Sequence, residues 1–60
     1  MNITDSQNRW RVTSGRVENM KTHNSRIVIG MPTHHALAMM HEREFVEGCE
    51  TAFETGAWPE

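Results

Sequence analysis

Apolar residues recur at the helical repeat of roughly 3.6 in the second half of the chain, between Thr33 and Thr55. They form one stripe, of ordinary width for a helix that lies on a sheet. The stripe consists of Ala38, Phe45, Val46, Cys49, Ala52 and Phe53. Pro32 and the Thr33 hydroxyl suit the start of a helix, and Gly56 suits its end. The pattern predicts a single helix over about 33–55.

Two residues inside this segment have consequences of their own. Glu42 interrupts the stripe, and an unpaired buried charge is costly. We therefore expect its carboxylate to lean outward or to meet an arginine. Gly48 costs about 1 kcal/mol relative to alanine in a helix interior, so we interpret it as a position where the helix packs closely over a strand.

Alternating apolar and polar residues in the first half predict strands. The three predicted strands span about 8–14, 16–20 and 25–30. The dipeptide Ser14–Gly15 is a two-residue loop with the glycine that such turns need. Closing the chain there pairs Val12 with Val17 and Arg11 with Glu18, and the second pair is an opposite-charge pair that supports the register.

The segment SRIVIG is the strongest predicted strand, and its alternation places Ile27 and Ile29 on one face. The core would then join these isoleucines to the hairpin and the helix, with Trp10, Val12, Val17, Phe45, Cys49 and Phe53 inside and Leu37, Met39, Met40 and Trp58 at the rim. The predicted fold class is α+β, a three-stranded antiparallel sheet covered on one face by a single C-terminal helix.

Length and composition limit the protein to one small domain over residues 1–60, with flexible tails expected at 1–7 and 57–60. The single cysteine, Cys49, allows no internal disulfide and fits a core residue in a reducing compartment. No segment has the features of a signal peptide or the roughly 18 apolar residues of a membrane span. The sequence therefore predicts a cytoplasmic protein.

The formal net charge of −2 is unevenly divided along the chain. Residues 1–30 carry five basic and two acidic side chains, a net charge of +3, whereas residues 31–60 carry one basic and six acidic side chains, a net charge of −5. Such asymmetry points to charged partners rather than to a particular fold.

Patterns for catalysis and metal binding are incomplete. His34 and His41 would share a helix face but lie roughly 10 Å apart along its axis, too far to share one zinc ion. His41 and Glu42 begin a metalloprotease pattern, but Phe45 stands where the second histidine is needed. Cys49 has no basic residue one helical turn away to lower its pKa. We expect no enzymatic activity, no cofactor and no metal site.

The side of the predicted helix opposite the stripe is acidic. Its row of carboxylates consists of Glu44, Glu47, Glu50 and Glu54, with Glu42 and Glu60 able to extend it. Neighbours at these spacings lie about 5–6 Å apart, which approximates the spacing of backbone phosphates. Such a row can occupy the basic groove of a nucleic-acid-binding protein. An acidic helix face can also serve solubility alone, which is the commoner role of such faces in general.

In its length, its plan of a sheet plus a helix and its acidic helix, the chain resembles the small acidic inhibitors that phages make against host defences, among them anti-CRISPR proteins and other DNA mimics. The resemblance covers the whole chain in format and involves no sequence motif. It implies a non-enzymatic inhibitor in the cytoplasm of a host cell, which binds the basic surface of a nucleic-acid-binding protein and blocks recognition of target DNA. The partner-binding residues would be Glu42, Glu44, Glu47, Glu50 and Glu54.

The outer face of the predicted sheet offers an alternative. It would carry the four arginines Arg9, Arg11, Arg16 and Arg26, which suit a small nucleic-acid-binding or regulatory protein that grips phosphates. Trp10 or His23 would be available for base stacking, although Trp10 falls on the buried side and Arg11 can simply pair with Glu18. A further alternative is a homodimer or an accessory subunit, in which the basic sheet meets the acidic helix of a neighbouring molecule. The predicted state is a monomer or a weak dimer.

Overall fold

The computed structural model describes residues 2–59 and has an α+β architecture. Its elements follow in the order β1 (Asn2–Thr4), β2 (Trp10–Thr13), β3 (Arg16–Asn19), β4 (Ser25–Ile27), α1 (His34–Ala38) and α2 (Glu42–Thr55). The predicted fold class is confirmed, but the described sheet has four strands, in the order β1-β2-β3-β4, rather than three. The parts of the predicted tails that fall on Met1 and Glu60 lie outside the described residues.

The central hairpin of β2 and β3 forms in the predicted register. Val12 pairs with Val17 and Arg11 pairs with Glu18 in an antiparallel ladder. Ser14 and Gly15 close the hairpin with φ angles of 41° and 78°. Two consecutive positive φ angles are what a two-residue type I′ turn requires, and that turn matches the right-handed twist of the flanking strands.

Strand β1 lies at the edge of the sheet, in a segment that the sequence predicts as a flexible tail. Ile3 pairs with Val12 in an antiparallel ladder, and its side chain packs against the core. The strand has three residues, of which Ile3 alone is apolar, so its own sequence carries almost no alternation. Pairing with β2 defines this strand, and a local pattern does not report such a tertiary effect.

Strand β4 faces the opposite way from its prediction. Arg26 pairs with Val17, which is fully buried, and residues directly opposite in a ladder share one face of the sheet. Arg26 and Val28 therefore point toward α2, whereas Ile27 and Ile29 are 65% and 74% exposed. The predicted inward placement of both isoleucines is wrong, and so is the outward placement of Arg26.

A contact at the end of α2 accounts for this orientation. Arg26 Nη1 donates hydrogen bonds to the carbonyl oxygens of Phe53, at 2.8 Å, and Glu54, at 3.3 Å. The last carbonyls of a helix lack partners within it and carry partial negative charge. The last turn of α2 has no basic residue of its own. The guanidinium from β4 supplies both the hydrogen bonds and the charge.

Strand β4 ends at Ile27, earlier than predicted, and the chain beyond it makes a different contact. Ile29 forms a parallel bridge with Ala57, and its carbonyl accepts a hydrogen bond from the N–H of Trp58 at 2.9 Å. This bridge joins Ala57 and Trp58, in a segment that the sequence predicts as a tail, to the chain that follows β4.

The predicted helix over 33–55 is divided into α1 and α2. Thr33 caps α1 as predicted, since its hydroxyl accepts a hydrogen bond from the N–H of Ala36 at 3.1 Å. The chain then leaves helical geometry at His41, where φ is −64° and ψ is 146°. No glycine or proline lies between Ala38 and His41 to announce this break.

Burial of Leu37 gives a physical reason for the break. Leu37 and Cys49 are both buried, but on one continuous helix their side chains would point about 120° apart. Two separate helices allow both to reach the core. Ala38, which the pattern placed in the apolar stripe, and Met39, which it placed at the rim, are exposed as a result.

The core lies between the sheet and the two helices. It consists of Val12, Val17, Val28, Leu37, Phe45, Val46, Cys49 and Ala52. Trp10 and Phe53 are partly buried and pack against it, with ring centroids 5.5 Å apart and planes tilted by 58°. This contact brings the inner face of the hairpin under α2. Within residues 2–59, neither helix has the length and apolar character that crossing a membrane requires.

Candidate protein-binding face

Four glutamates form a row along the solvent side of α2. The row, which we call the acidic face, consists of Glu44, Glu47, Glu50 and Glu54, all of them exposed. From Glu44 to Glu54 it extends about 15 Å along the helix axis. The buried residues of α2 lie on its other side, so packing against the sheet fixes the direction in which the acidic face points.

Little positive charge within residues 2–59 lies beside the acidic face to offset it. Arg43 Nε lies 3.9 Å from Glu47 Oε2, with the two side chains 90% and 71% exposed. An exposed pair of this kind contributes about 0–1 kcal/mol. It is the one ion pair to the acidic face within residues 2–59. Like charges three or four residues apart repel by about 0.2–0.5 kcal/mol per pair, so the acidic face is slightly destabilising for the helix.

Glu42 stands apart from the acidic face. Its Oε1 accepts a hydrogen bond from the backbone N–H of Ser6 at 2.8 Å, and the contact with Ser6 holds the pKa of the Glu42 carboxyl below its usual value of 4.5. The first turn of a helix also favours a negative charge. Glu42 is exposed, but its partner is a backbone amide rather than an arginine. It therefore ties the β1–β2 loop to α2, a role that the other glutamates do not share.

Asp5, which the prediction from sequence did not include, organises the β1–β2 loop. Its Oδ1 accepts hydrogen bonds from the backbone N–H groups of Arg9 and Trp10, both at 2.7 Å, and its Oδ2 accepts one from Gln7 at 3.2 Å. Burial raises the pKa of Asp5, but the bonds from Trp10, Arg9 and Gln7 together lower it below its usual value of 3.8. An aspartate at the start of a short polar loop indicates a turn, and Asp5 occupies this position in the β1–β2 loop.

The four arginines of the alternative site do not share one face. Arg26 lies on the inner side of the sheet, at the end of α2. Arg9 Nε lies 3.4 Å from Oδ2 of the buried Asp5. Both side chains thus have partners that stabilise the fold, and neither belongs to the outer face of the sheet.

The remaining two arginines do lie on the outer face. Arg11 Nε donates a hydrogen bond to Glu18 Oε1 at 3.0 Å, and Arg11 Nη2 contacts the same oxygen. The Arg11 guanidinium holds the pKa of Glu18 below its usual value, with a smaller contribution from His23, whose Nδ1 lies 3.6 Å from Glu18 Oε2. Arg16 is exposed and has no ion pair to a residue within 2–59.

The outer face of the sheet is therefore nearly neutral. Its residues, taken from the pairing of the four strands, are Asn2, Thr4, Arg11, Thr13, Arg16, Glu18, Ser25 and Ile27. Two arginines and one glutamate leave a formal charge of +1 on this face. The strongly basic sheet face that the sequence analysis expected does not form, because β4 turns Arg26 inward and Arg9 lies in the loop.

A groove borders the acidic face on the side of Glu44 and Glu47. It has a volume of about 550 Å³, and the residues that line it include Pro32, Met40, Glu44, Glu47, Gly48 and Trp58. Gly48 is close-packed as predicted, but its neighbour is Trp58 rather than a strand. A Cβ built at Gly48 would lie 2.2 Å from Cζ2 of the indole. The sequence predicts Trp58 only at the rim of the core, because a single tryptophan carries no periodic pattern.

The cysteine considered as a nucleophile and the histidines considered as metal ligands differ in burial. Cys49 is fully buried, and burial raises the pKa of its thiol to about 12, which is unsuited to a nucleophile. His34, His35 and His41 are exposed. Among residues 2–59, no group of three or more histidine, cysteine or acidic side chains is arranged to hold a metal ion.

Comparison of the chain with protein-family models, with curated proteins and with solved structures finds no match.

Proposed function

We propose that the protein is a non-enzymatic inhibitor that binds the basic surface of a nucleic-acid-binding protein through its acidic face, as a DNA mimic. In the specific, anti-CRISPR-like form of this proposal, the bound inhibitor blocks recognition of target DNA. The observation that carries the proposal is the exposure of four like charges along one side of α2, with one weak internal ion pair among them.

The electrostatics of the acidic face support binding to a basic partner. Exposed charges of one sign steer association with a surface of the opposite sign and accelerate it, and the effect falls with ionic strength. Because these four side chains have one weak ion pair among them within residues 2–59, a cationic surface can pair with them and break few contacts in the described part of the protein. A helix also holds the row rigid, so little backbone ordering is needed on binding.

The arginine alternative has less support. Three of its four arginines, Arg9, Arg11 and Arg26, already contact a carboxylate or a helix end within the protein. A phosphate would have to compete with these contacts. Of the four arginines, Arg16 alone has no such contact within residues 2–59, and one charge gives weak, unspecific attraction to nucleic acid.

The proposal is tested by affinity capture from a nuclease-treated bacterial lysate. Immobilised protein and its Glu47→Lys, Glu50→Lys double variant are washed at low salt, eluted by a salt gradient and compared by mass spectrometry. We expect the native protein to retain one or more nucleic-acid-binding proteins and the double variant to lose them. Arg16→Glu is the matched control on the outer sheet face and should retain them.

Two results would contradict the proposal. One is capture of the same proteins by the native protein and by the charge-reversal variant, with both shown to be folded by circular dichroism. The other is a steeply salt-sensitive gel shift of generic duplex DNA by the native protein itself, which Arg16→Glu abolishes. That result would favour the arginine alternative.

A further inference from the structure

We propose that the groove beside the acidic face receives an arginine side chain of the partner protein. This inference rests on the proposed function and specifies where the partner is anchored. It assigns a different task to the two halves of α2: Glu44 and Glu47 hold one inserted guanidinium, whereas Glu50 and Glu54 act through general attraction.

The groove has the chemistry that an arginine needs along its whole length. The arginine stem is apolar and can lie against Pro32 and Met40, which line the groove. Trp58 provides an aromatic surface, and a guanidinium stacks on such a surface in a cation–π contact. Glu44 and Glu47 provide carboxylates to which the guanidinium can donate hydrogen bonds.

Charge complementarity selects this occupant over an apolar one. An apolar side chain would take the carboxylates of Glu44 and Glu47 out of water without giving them a partner, which is costly. An arginine removes the same water and supplies the opposite charge. Lysine fits less well, because its ammonium is a compact, strongly hydrated charge without a planar surface to stack or a fork to donate two parallel hydrogen bonds.

The aromatic wall is fixed in place before a partner arrives. Trp58 is held through its backbone N–H, which donates to the carbonyl of Ile29 at 2.9 Å, and through its indole, which lies against Gly48. The volume of about 550 Å³ exceeds that of two other depressions in the described residues, of about 170 and 150 Å³. A preformed wall lowers the ordering cost of binding.

The test is a titration of the full chain, labelled with nitrogen-15, with the peptide acetyl-Ala-Arg-Ala-amide, followed by two-dimensional NMR. We expect saturable shifts of the Trp58 indole N–H and the Gly48 amide. The peptide with citrulline, which has the shape of arginine without its charge, should bind about fivefold more weakly or worse. The peptide with lysine should also bind more weakly.

Two charge-matched variants separate the groove from general attraction. Glu44→Gln with Glu47→Gln should weaken binding of the arginine peptide about fivefold or more, whereas Glu50→Gln with Glu54→Gln should leave it within about twofold. Equal losses in both variants, shifts spread evenly along α2, or equal affinity for the citrulline peptide would overturn the assignment of the groove. If the peptide fails in this way while lysate capture still depends on Glu47 and Glu50, the proposed function stands and the groove inference falls.

Discussion

The hydrogen bonds that Asp5 accepts from three backbone N–H groups predict a large contribution to the free energy of unfolding. Asp5→Ala would remove an acceptor that is fully buried and serves three backbone N–H groups, those of Gln7, Arg9 and Trp10. Each partly buried donor left without a partner costs about 1 kcal/mol, so the variant should lose about 3 kcal/mol of unfolding free energy. For a domain of this size that loss corresponds to a fall of roughly 12–24 °C in Tm.

Asp5→Asn is the matched control for this prediction. Its amide oxygen can replace Oδ1 and keep the two bonds from Arg9 and Trp10, but its NH₂ group would face the N–H of Gln7 and Nε of Arg9, where Oδ2 now accepts. The expected loss is therefore smaller, about 1–2 kcal/mol. Both values follow from counting bonds to each oxygen, so the difference between the two variants tests the geometry itself.

The assay is urea unfolding at pH 7, followed by tryptophan fluorescence and by circular dichroism, with coincident curves required before free energies are compared. Asp5→Ala should be the less stable variant by roughly 1–2 kcal/mol, with an unchanged dependence on urea concentration. A loss below about 1 kcal/mol in Asp5→Ala, or equal losses in the two variants, would refute the role assigned to the buried carboxylate.

Three further predictions concern pH, the end of α2 and the contact between Gly48 and Trp58. The pKa of Asp5 lies below its unfolded value of 3.8, so the stability that its charge supplies is complete above pH 3.8 and is lost as pH falls through the folded pKa. Between about pH 5 and pH 2.5, native protein should therefore lose more unfolding free energy than Asp5→Asn. Parallel curves of unfolding free energy against pH would contradict this. Arg26→Leu removes two hydrogen bonds and a favourable charge from the end of α2, so urea unfolding should show a loss of about 1–2 kcal/mol in unfolding free energy. The control Arg16→Leu should lose less than about 0.5 kcal/mol. Equal losses in the two variants would rule out the capping role of Arg26. Gly48→Ala must displace the indole of Trp58, because the new Cβ would lie 2.2 Å from it. The tryptophan emission, to which Trp10 also contributes, should shift to the red. A gain of about 1 kcal/mol in unfolding free energy from helix propensity, with unchanged emission, would show that the contact is absent.

The elements that the sequence predicted correctly depend on local information. Ser14 and Gly15 specify a two-residue turn, and the pair Val12–Val17 follows from it directly. The acidic side of α2 is likewise a matter of helical spacing. The core residues Phe45 and Cys49 came from the same periodicity.

The wrong predictions arise where contacts with a distant part of the chain determine the local structure. In SRIVIG apolar residues occupy both faces, so alternation alone could not show whether Val28 or the pair Ile27 and Ile29 turns inward. The last carbonyl groups of α2, far along the chain, favour Arg26 on the inner face, because they accept its hydrogen bonds. The break between α1 and α2 also depends on tertiary packing. No residue near Met39 indicates a helix end, and the burial of Leu37 accounts for the break. Strand β1 exists through its pairing with β2.

The candidate site shows the same division. The sequence predicted the row of glutamates and also assigned Glu42 to it. The hydrogen bond that Glu42 accepts from Ser6 joins residues 36 positions apart, so no local pattern indicates it. It also expected a basic sheet face, which depends on the inward turn of Arg26. The groove formed with Trp58 depends on the bridge between Ile29 and Ala57, which no local pattern indicates.

The most direct test of the central claim measures competition with DNA. A fluorescently labelled duplex is bound to a nucleic-acid-binding protein captured from the lysate, and native protein is added while anisotropy is recorded. We expect native protein to displace the duplex completely at saturation and Arg16→Glu to do so equally well. The Glu47→Lys, Glu50→Lys variant should leave the duplex bound. Formation of a ternary complex in which the duplex stays bound, or displacement by the charge-reversal variant, would contradict the claim that the acidic face takes the place of DNA.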